Sequence, residues 1–159
     1  MSDTSKLTLL GAAGTEYRYD HPDAATLEVF DNQHPASPWV VALDCTEFTS
    51  LCPMTGQPDF GRMLIHYVPD ALCVESKSLK LYLCSYRNHG AFHEDCVNRI
   101  ADDLAERITP LYLRVFGDFN VRGGIAIKPL AVRQSQQLTN EQRNVIVSLL
   151  AHHDALNRR

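Results

Sequence analysis

Arg62-Met63-Leu64-Ile65-His66-Tyr67-Val68-Pro69-Asp70 is the stretch on which the fold turns. Met63, Ile65 and Tyr67 fall on one side and Leu64, His66 and Val68 on the other, the two-residue period of a β-strand, and Pro69-Asp70 ends it. Upstream, Trp39 to Thr49 is rich in Val, Leu and Phe and reads as a strand too. Ser50 to Asp59, between the two, carries Pro53, Gly56 and Pro58 and reads as a loop, because Pro and Gly punctuate any regular element.

Downstream, 72–75 reads as a short strand end and a helix starts at about Ser76, with Leu79, Leu83 and Tyr86 at helical spacing. A second helix carries an apolar stripe of Phe92, Val97, Ile100, Ala101, Leu104 and Ile108, with Glu94 and Asp95 in its first turn, where the helix dipole favours acids. Pro110 stops it. Leu111 to Phe119 alternates again, and Val121 to Pro129 follows Asn120 as the partner strand of a hairpin. After Ala131 the chain turns polar, and Thr139-Asn140-Glu141-Gln142 fits a capping box ahead of a helix whose apolar side holds Val145, Leu149 and Leu150.

Two hairpins flanking two helices predict an α+β fold: an antiparallel four-stranded sheet with two helices on one face. Such a sheet is open at its edges, and self-association is one way to cover them. The whole chain, 1–159, reads as one domain, with an irregular lead-in at 1–38, a core at 39–130 and a helical appendage at 131–159. The lead-in carries Gly11, Gly14, Pro22, Pro35 and Pro38, yet Leu9, Leu10, Tyr17, Tyr19 and Phe30 make it too apolar for a free tail. It is expected to lie across the body or against a neighbouring subunit.

Composition narrows the function classes. Hydrophobic residues make up 45% and charged residues 21%, so the chain is not of the disordered type. The net charge of -4, from 15 Lys+Arg against 19 Asp+Glu, argues against a general nucleic-acid binder. No apolar run reaches the roughly 20 residues of a membrane helix, and the first ten residues lack a signal-peptide pattern, so the expected compartment is the cytoplasm. Cysteines stand at 45, 52, 73, 84 and 96, an odd number without C-x-x-C spacing, which speaks against a disulfide framework or a zinc ribbon.

Several residues suit chemistry, and each also has a plainer reading. Cys52, in a Pro- and Gly-bounded loop, reads as a nucleophile or as a small hydrophobe. Asp59, seven residues on, reads as a proton donor or as a turn aspartate. Glu75 with Ser76, Lys77 and Lys80 can hold a polar base and phosphates, or form a solvated helix face. His93-Glu94 can face the edge of a heterocycle, while Cys84, His89, His93 and Cys96 have spacings open to zinc. Arg122-Gly123-Gly124 reads as a phosphate contact at a strand start or as a hairpin bulge. Neither a Rossmann fingerprint nor a Walker A motif occurs.

The run from Glu47 to Pro53, Thr55 to Phe60, the box Glu75-Ser76-Lys77-Ser78-Leu79-Lys80, the phrase Phe92-His93-Glu94-Asp95-Cys96 and Arg122-Gly123-Gly124-Ile125 together resemble the NADPH-dependent 7-cyano-7-deazaguanine reductases. These are the nitrile reductases of queuosine biosynthesis, a tRNA-modification pathway, and the likeness covers roughly residues 7–130, in the short single-module form. The box separates this family from the related GTP cyclohydrolase I type. Thr46 stands where the family often has Pro, and Met54 where Lys is commoner.

The resemblance implies the tunnelling fold, in which subunit sheets join into an oligomeric barrel with sites at subunit interfaces. It implies Cys52 as nucleophile, forming a thioimide, and Asp59 as proton donor. Substrate contacts fall on Val74, Glu75, Ser76, His93 and Glu94, and NADPH contacts on Ser76, Lys77, Arg122 and Gly123. Lys80, one turn after Lys77, is a further phosphate candidate. The implied partner is a small deazapurine, without direct nucleic acid, membrane or metal. Cys96, beside His93-Glu94 in the pattern, is a candidate for a reversible disulfide with Cys52. The alternatives are a zinc-dependent cyclohydrolase-like enzyme using Cys84, His89, His93 and Cys96, and a non-catalytic purine-binding oligomer of the same fold.

Overall fold

The computed structural model describes residues 4, 5, 7–9 and 16–156. Leu10, Gly11 and Gly14 of the lead-in lie outside the described residues. In chain order the elements are β1 (Val29–Asp31), β2 (Val41–Leu51), β3 (Pro58–Val68), β4 (Leu72–Val74), α1 (Ser76–Cys84), α2 (His93–Ile108), β5 (Tyr112–Phe119), β6 (Leu130–Gln134) and α3 (Asn140–Leu156). Strands β2-β3-β5-β6, in that order, form a four-stranded antiparallel sheet, and β1 pairs with β4 in a small second one.

The alternation expected of β3 holds. Met63, Ile65 and Tyr67 are buried against α2 and α1, together with Leu113 and Val115 of β5. Helix α2 buries Val97, Ile100, Ala101, Leu104 and Ile108 completely and ends at Thr109, in the left-handed region at φ 39°, just before Pro110. Phe92 departs from the predicted stripe. It is the N-cap residue, where the chain is not yet helical, and its ring is exposed.

Two boundaries differ from the sequence reading. Residues 121–129 form no strand: Arg122 and Ile125 close a tight turn on each other, with Gly123 at φ 59° and Gly124 at φ 80°. The partner of β5 is β6, Leu130–Gln134, which starts at the last residue read as core and runs into the stretch read as appendage, and its Ala131 joins the core. The predicted loop is also shorter, since β2 runs to Leu51 and β3 begins at Pro58, the first strand position, where the missing N–H costs nothing.

The lead-in is more regular than its prolines suggest. Asp23 caps a single 3-10 turn at Ala24–Thr26, Leu27 is fully buried, and β1 follows. Helix α3 opens with the expected capping box: the Thr139 N–H donates to Gln142 Oε1 at 2.9 Å and the Gln142 N–H to Thr139 Oγ1 at 3.2 Å. Its buried side is Ile146 and Leu150 rather than Val145, which is exposed. With Leu138 these residues pack on Val68, so α3 lies on the sheet face opposite α1 and α2. Arg114 of that face bonds both oxygens of Asp154 on α3.

Candidate active site

The closed end of the β2–β3 hairpin gathers the reactive side chains. An extra residue in β2 between Cys45 and Phe48 makes a bulge and re-aims the strand, so that Phe48, Ser50 and Cys52 in turn are buried. Ser50 pairs directly with Asp59 of β3. Counting back from Tyr67 by twos through Gly61 reaches Asp59, which therefore points to the helix side and is only 6% exposed. It is a strand residue, not a loop one.

Cys52 begins a turn. Its N–H donates to the Gln57 carbonyl at 2.8 Å, and its own carbonyl accepts from the Gly56 N–H at 2.9 Å, with Gly56 at φ 68°. The turn folds polar hydrogens around the sulfur. The Thr55 hydroxyl, the backbone N–H groups of Met54 and Thr55 and then the Arg122 guanidinium favour the thiolate and lower the pKa to about 7. Burial acts the other way on Cys96, raising its thiol to about 11. All five cysteines are free.

Asp59 is held from two sides. Arg122 Nη1 donates to Oδ1 at 2.7 Å, and His93 Nε2 stands 3.2 Å from Oδ2, outside hydrogen-bond alignment. His93 is the first residue of α2, is buried, and stacks on Phe119 at 3.9 Å with 25° between the planes. Glu94 follows it, exposed. Cys52, Asp59, His93 and Arg122, widely spaced in the chain, thus form one cluster. A nucleophilic sulfur linked through one guanidinium to a carboxyl group, with an imidazole beside that carboxyl, can add to an electrophilic carbon and deliver a proton to its neighbour.

The box at the start of α1 is arranged differently. Glu75, 5% exposed, caps its own helix: Oε1 accepts from the Lys77 N–H at 2.8 Å and Oε2 from the Ser78 N–H at 2.7 Å. Val74 is buried, and its N–H donates to the Tyr67 hydroxyl at 3.2 Å. Ser76 is exposed. Lys77 Nζ donates to the Leu9 carbonyl, and Lys80 lies over the Tyr17 ring at 5.8 Å. Ser76 and Lys80 line a cavity of about 280 Å³ against Leu43–Glu47 of β2, a wall without Cys52 or Asp59. Within one chain, box and cluster are separate.

The zinc alternative is not supported by the geometry. Among the described residues, Cys84, His89, His93 and Cys96 do not form a group at ligand spacing. His93 faces Asp59, and His89 Nδ1 lies 3.3 Å from the Asp20 carbonyl. The group that does lie at such spacing is His66, His153 and Asp154, and there Arg114 already serves as the cation, donating to His66 Nδ1 at 2.9 Å and to Asp154.

Sequence reasoning missed Thr55 and Phe119 in the site. Thr55 carries the Thr-Gly turn signal, while the inward direction of Phe119 follows from the alternation of β5. Neither signal names the sulfur or the imidazole as the partner.

A family model described as QueF-like protein matches residues 58–138. An NADPH-dependent 7-cyano-7-deazaguanine reductase of Streptococcus thermophilus is 55% identical over 127 residues, 80% of this chain and 77% of the relative. One of Bacteroides thetaiotaomicron is 57% identical over 126 residues, 79% and 82% of the two chains. Among solved structures, the archaeosine synthase QueF-Like in its apo form matches in fold with a TM-score of 0.57 at 22% identity, covering 62% of this chain and 97% of that one.

Proposed function

The chain belongs to the family of NADPH-dependent 7-cyano-7-deazaguanine reductases, and we propose from that premise that Cys52 and Asp59 carry its chemistry. The reaction is the four-electron reduction of the nitrile to the aminomethyl group, in queuosine biosynthesis. The Arg122 guanidinium, shared between the lowered Cys52 thiol and the Asp59 carboxyl, is the observation that carries the assignment.

A nitrile carbon is a poor electrophile, and a thiolate is the side chain best suited to attack it. Cys52 Sγ bonds to that carbon, one C–N π bond breaks, and Asp59 protonates the nitrogen, giving a thioimide. NADPH, when bound, supplies the two hydrides of the overall reduction. After the first, the C–S bond breaks, Cys52 leaves as thiolate and an imine remains. A sulfur whose pKa is near 7 serves well as attacking and as leaving group. Once a proton taken up from solvent has replaced the one spent, Asp59 can supply nitrogen again in the later step, with His93 and Arg122 holding its carboxyl group in place.

Val74, Glu75, Ser76, His93 and Glu94 are the proposed substrate contacts. The cofactor residues fit a phosphate-bearing dinucleotide: Lys77, Lys80 and Arg122 are cationic, Ser76 is exposed, and a Cβ at Gly123 would meet nothing within 4 Å. Since box and cluster do not meet within one chain, the site is proposed to be completed between subunits of a homo-oligomer. The edge strands β2 and β6 and the exposed Leu130, Val132 and Phe60 support this. The proposed unit is the single domain 1–159, acting in the cytoplasm on a small deazapurine without touching nucleic acid or membrane. Among the described residues no helix is long and apolar enough to cross a membrane.

The test follows NADPH oxidation by the purified protein with 7-cyano-7-deazaguanine, beside Cys52→Ala. Two NADPH consumed per nitrile, with none consumed by the variant, is the expected result. Equal turnover by Cys52→Ala overturns the nucleophile, and no turnover by folded, reduced wild type overturns the reaction.

A further inference from the structure

We infer that Phe119 is a positioning residue for His93, and that Gly117 and Gly61 clear the space in which it acts. The inference rests on the reading of Asp59 and Cys52 as the reacting pair.

His93 lies at the first turn of α2, and its N-cap residue, Phe92, makes no side-chain capping bond that would steady this end. What sets the imidazole plane is the Phe119 ring, stacked 3.9 Å away. Phe119 is itself fixed. Phe48 meets it edge-on at 6.0 Å, and Tyr86 backs Phe48 at 5.4 Å. This aromatic row runs across the core and ends on His93, which faces Asp59.

The two glycines make the row possible. A Cβ at Gly117 would fall 2.7 Å from Val97 Cγ2 and 2.8 Å from Phe119 Cε2, closer than atoms can stand. Val97 is one turn after His93 on α2, so the bare backbone at 117 lets the helix approach β5 closely enough for the stack. Gly61, paired with Phe119 in the β3–β5 register, would place a Cβ 3.0 Å from the Asp118 carbonyl oxygen and 3.1 Å from both Cα and the Cδ1 edge of Phe119. Each glycine gives room to the same ring. Phe119 touches neither reacting atom on this reading and acts through the direction in which His93 Nε2 faces Asp59 Oδ2.

The test compares Phe119→Leu, which removes the ring, with Phe119→Tyr, which keeps it. The first readout needs no substrate: the carbon-bound His93 ring protons in proton–carbon NMR, assigned with His93→Gln. A stacked ring shifts them upfield in the wild type. Phe119→Leu is expected to return them to ordinary imidazole positions, and Phe119→Tyr to leave them shifted. The second readout is kinetic. Phe119→Leu is expected to lower kcat roughly 10- to 100-fold, the scale of a misplaced catalytic group, with KM for NADPH held and kcat mostly restored in Phe119→Tyr.

Unshifted His93 protons in the wild type overturn the inference, and that measurement stands even if Phe119→Leu fails to fold. A Phe119→Leu enzyme with moved resonances and full kcat overturns it too. Absence of turnover in the wild type sinks the functional reading instead, while the NMR readout still decides the stack.

Discussion

The hairpin end and the start of α1 carry the two densest polar motifs of the chain, and they use their polar groups in opposite ways. At the hairpin end, two turns, a strand and a helix each send one group inward, so that Arg122 contacts both Cys52 and Asp59, and His93 stands against Asp59. At the start of α1, both carboxylate oxygens of Glu75 are taken by the first N–H groups of its own helix. A helix N-terminus offers unbonded donors that an acid satisfies locally, whereas the hairpin turn satisfies its own backbone and leaves its side chains available. Acid in a motif is therefore not the same as acid in a site.

Replacing Cys52 by Ala should have the largest effect, lowering nitrile turnover by about 10,000-fold or more while calorimetry still records deazapurine binding. Asp59→Asn should cost roughly 100- to 10,000-fold in kcat, the range of a lost proton donor. If either variant kept its turnover, the hairpin end would be as structural as the start of α1.

Thr55→Val tests what arms the sulfur. With the Cys52 pKa near 7, the thiolate forms as pH rises through that value, and iodoacetamide alkylation should climb with it. Loss of the Thr55 hydroxyl should move the midpoint up toward the ordinary thiol value, slowing alkylation at pH 7 about fivefold for the first unit moved and about tenfold for a further one. An unmoved midpoint would assign the lowering to the backbone N–H groups and Arg122.

Glu75→Ala should remove about 1 kcal/mol of helix capping, seen as a fall in Tm of roughly 2–4 °C. Glu75→Gln separates capping from ligand binding. A near-normal Tm with a raised KM for the deazapurine would draw the two regions together, by giving Glu75 a ligand as well as a helix.

Arg114→Ala should have the smallest effect, loosening α3 by about 1 kcal/mol or less as judged by thermal unfolding. Arg114 holds the Asp154 carboxyl below its usual range. The stabilisation is thus complete above that range and is lost as pH falls through the depressed value. In wild type the α3 contacts should weaken on acidification, and in Arg114→Ala this dependence should shrink.

By itself the sequence determined the types of β2, β3, β5 and the three helices, the inward side of β3, the apolar stripe of α2, the box that separates the family from its relatives and the capping box of α3. All are local patterns of period or spacing. The proposal of Cys52 and Asp59 as reacting residues came from the family resemblance rather than from any local pattern. Tertiary structure decided the partners. The bulge in β2, the short β6 beyond a ten-residue connection, the close approach of α2 at Gly117 and the Arg122 bond to Asp59 all depend on where distant segments meet. Local periodicity carries no record of such meetings, because they are set by packing across the sheet rather than along the chain.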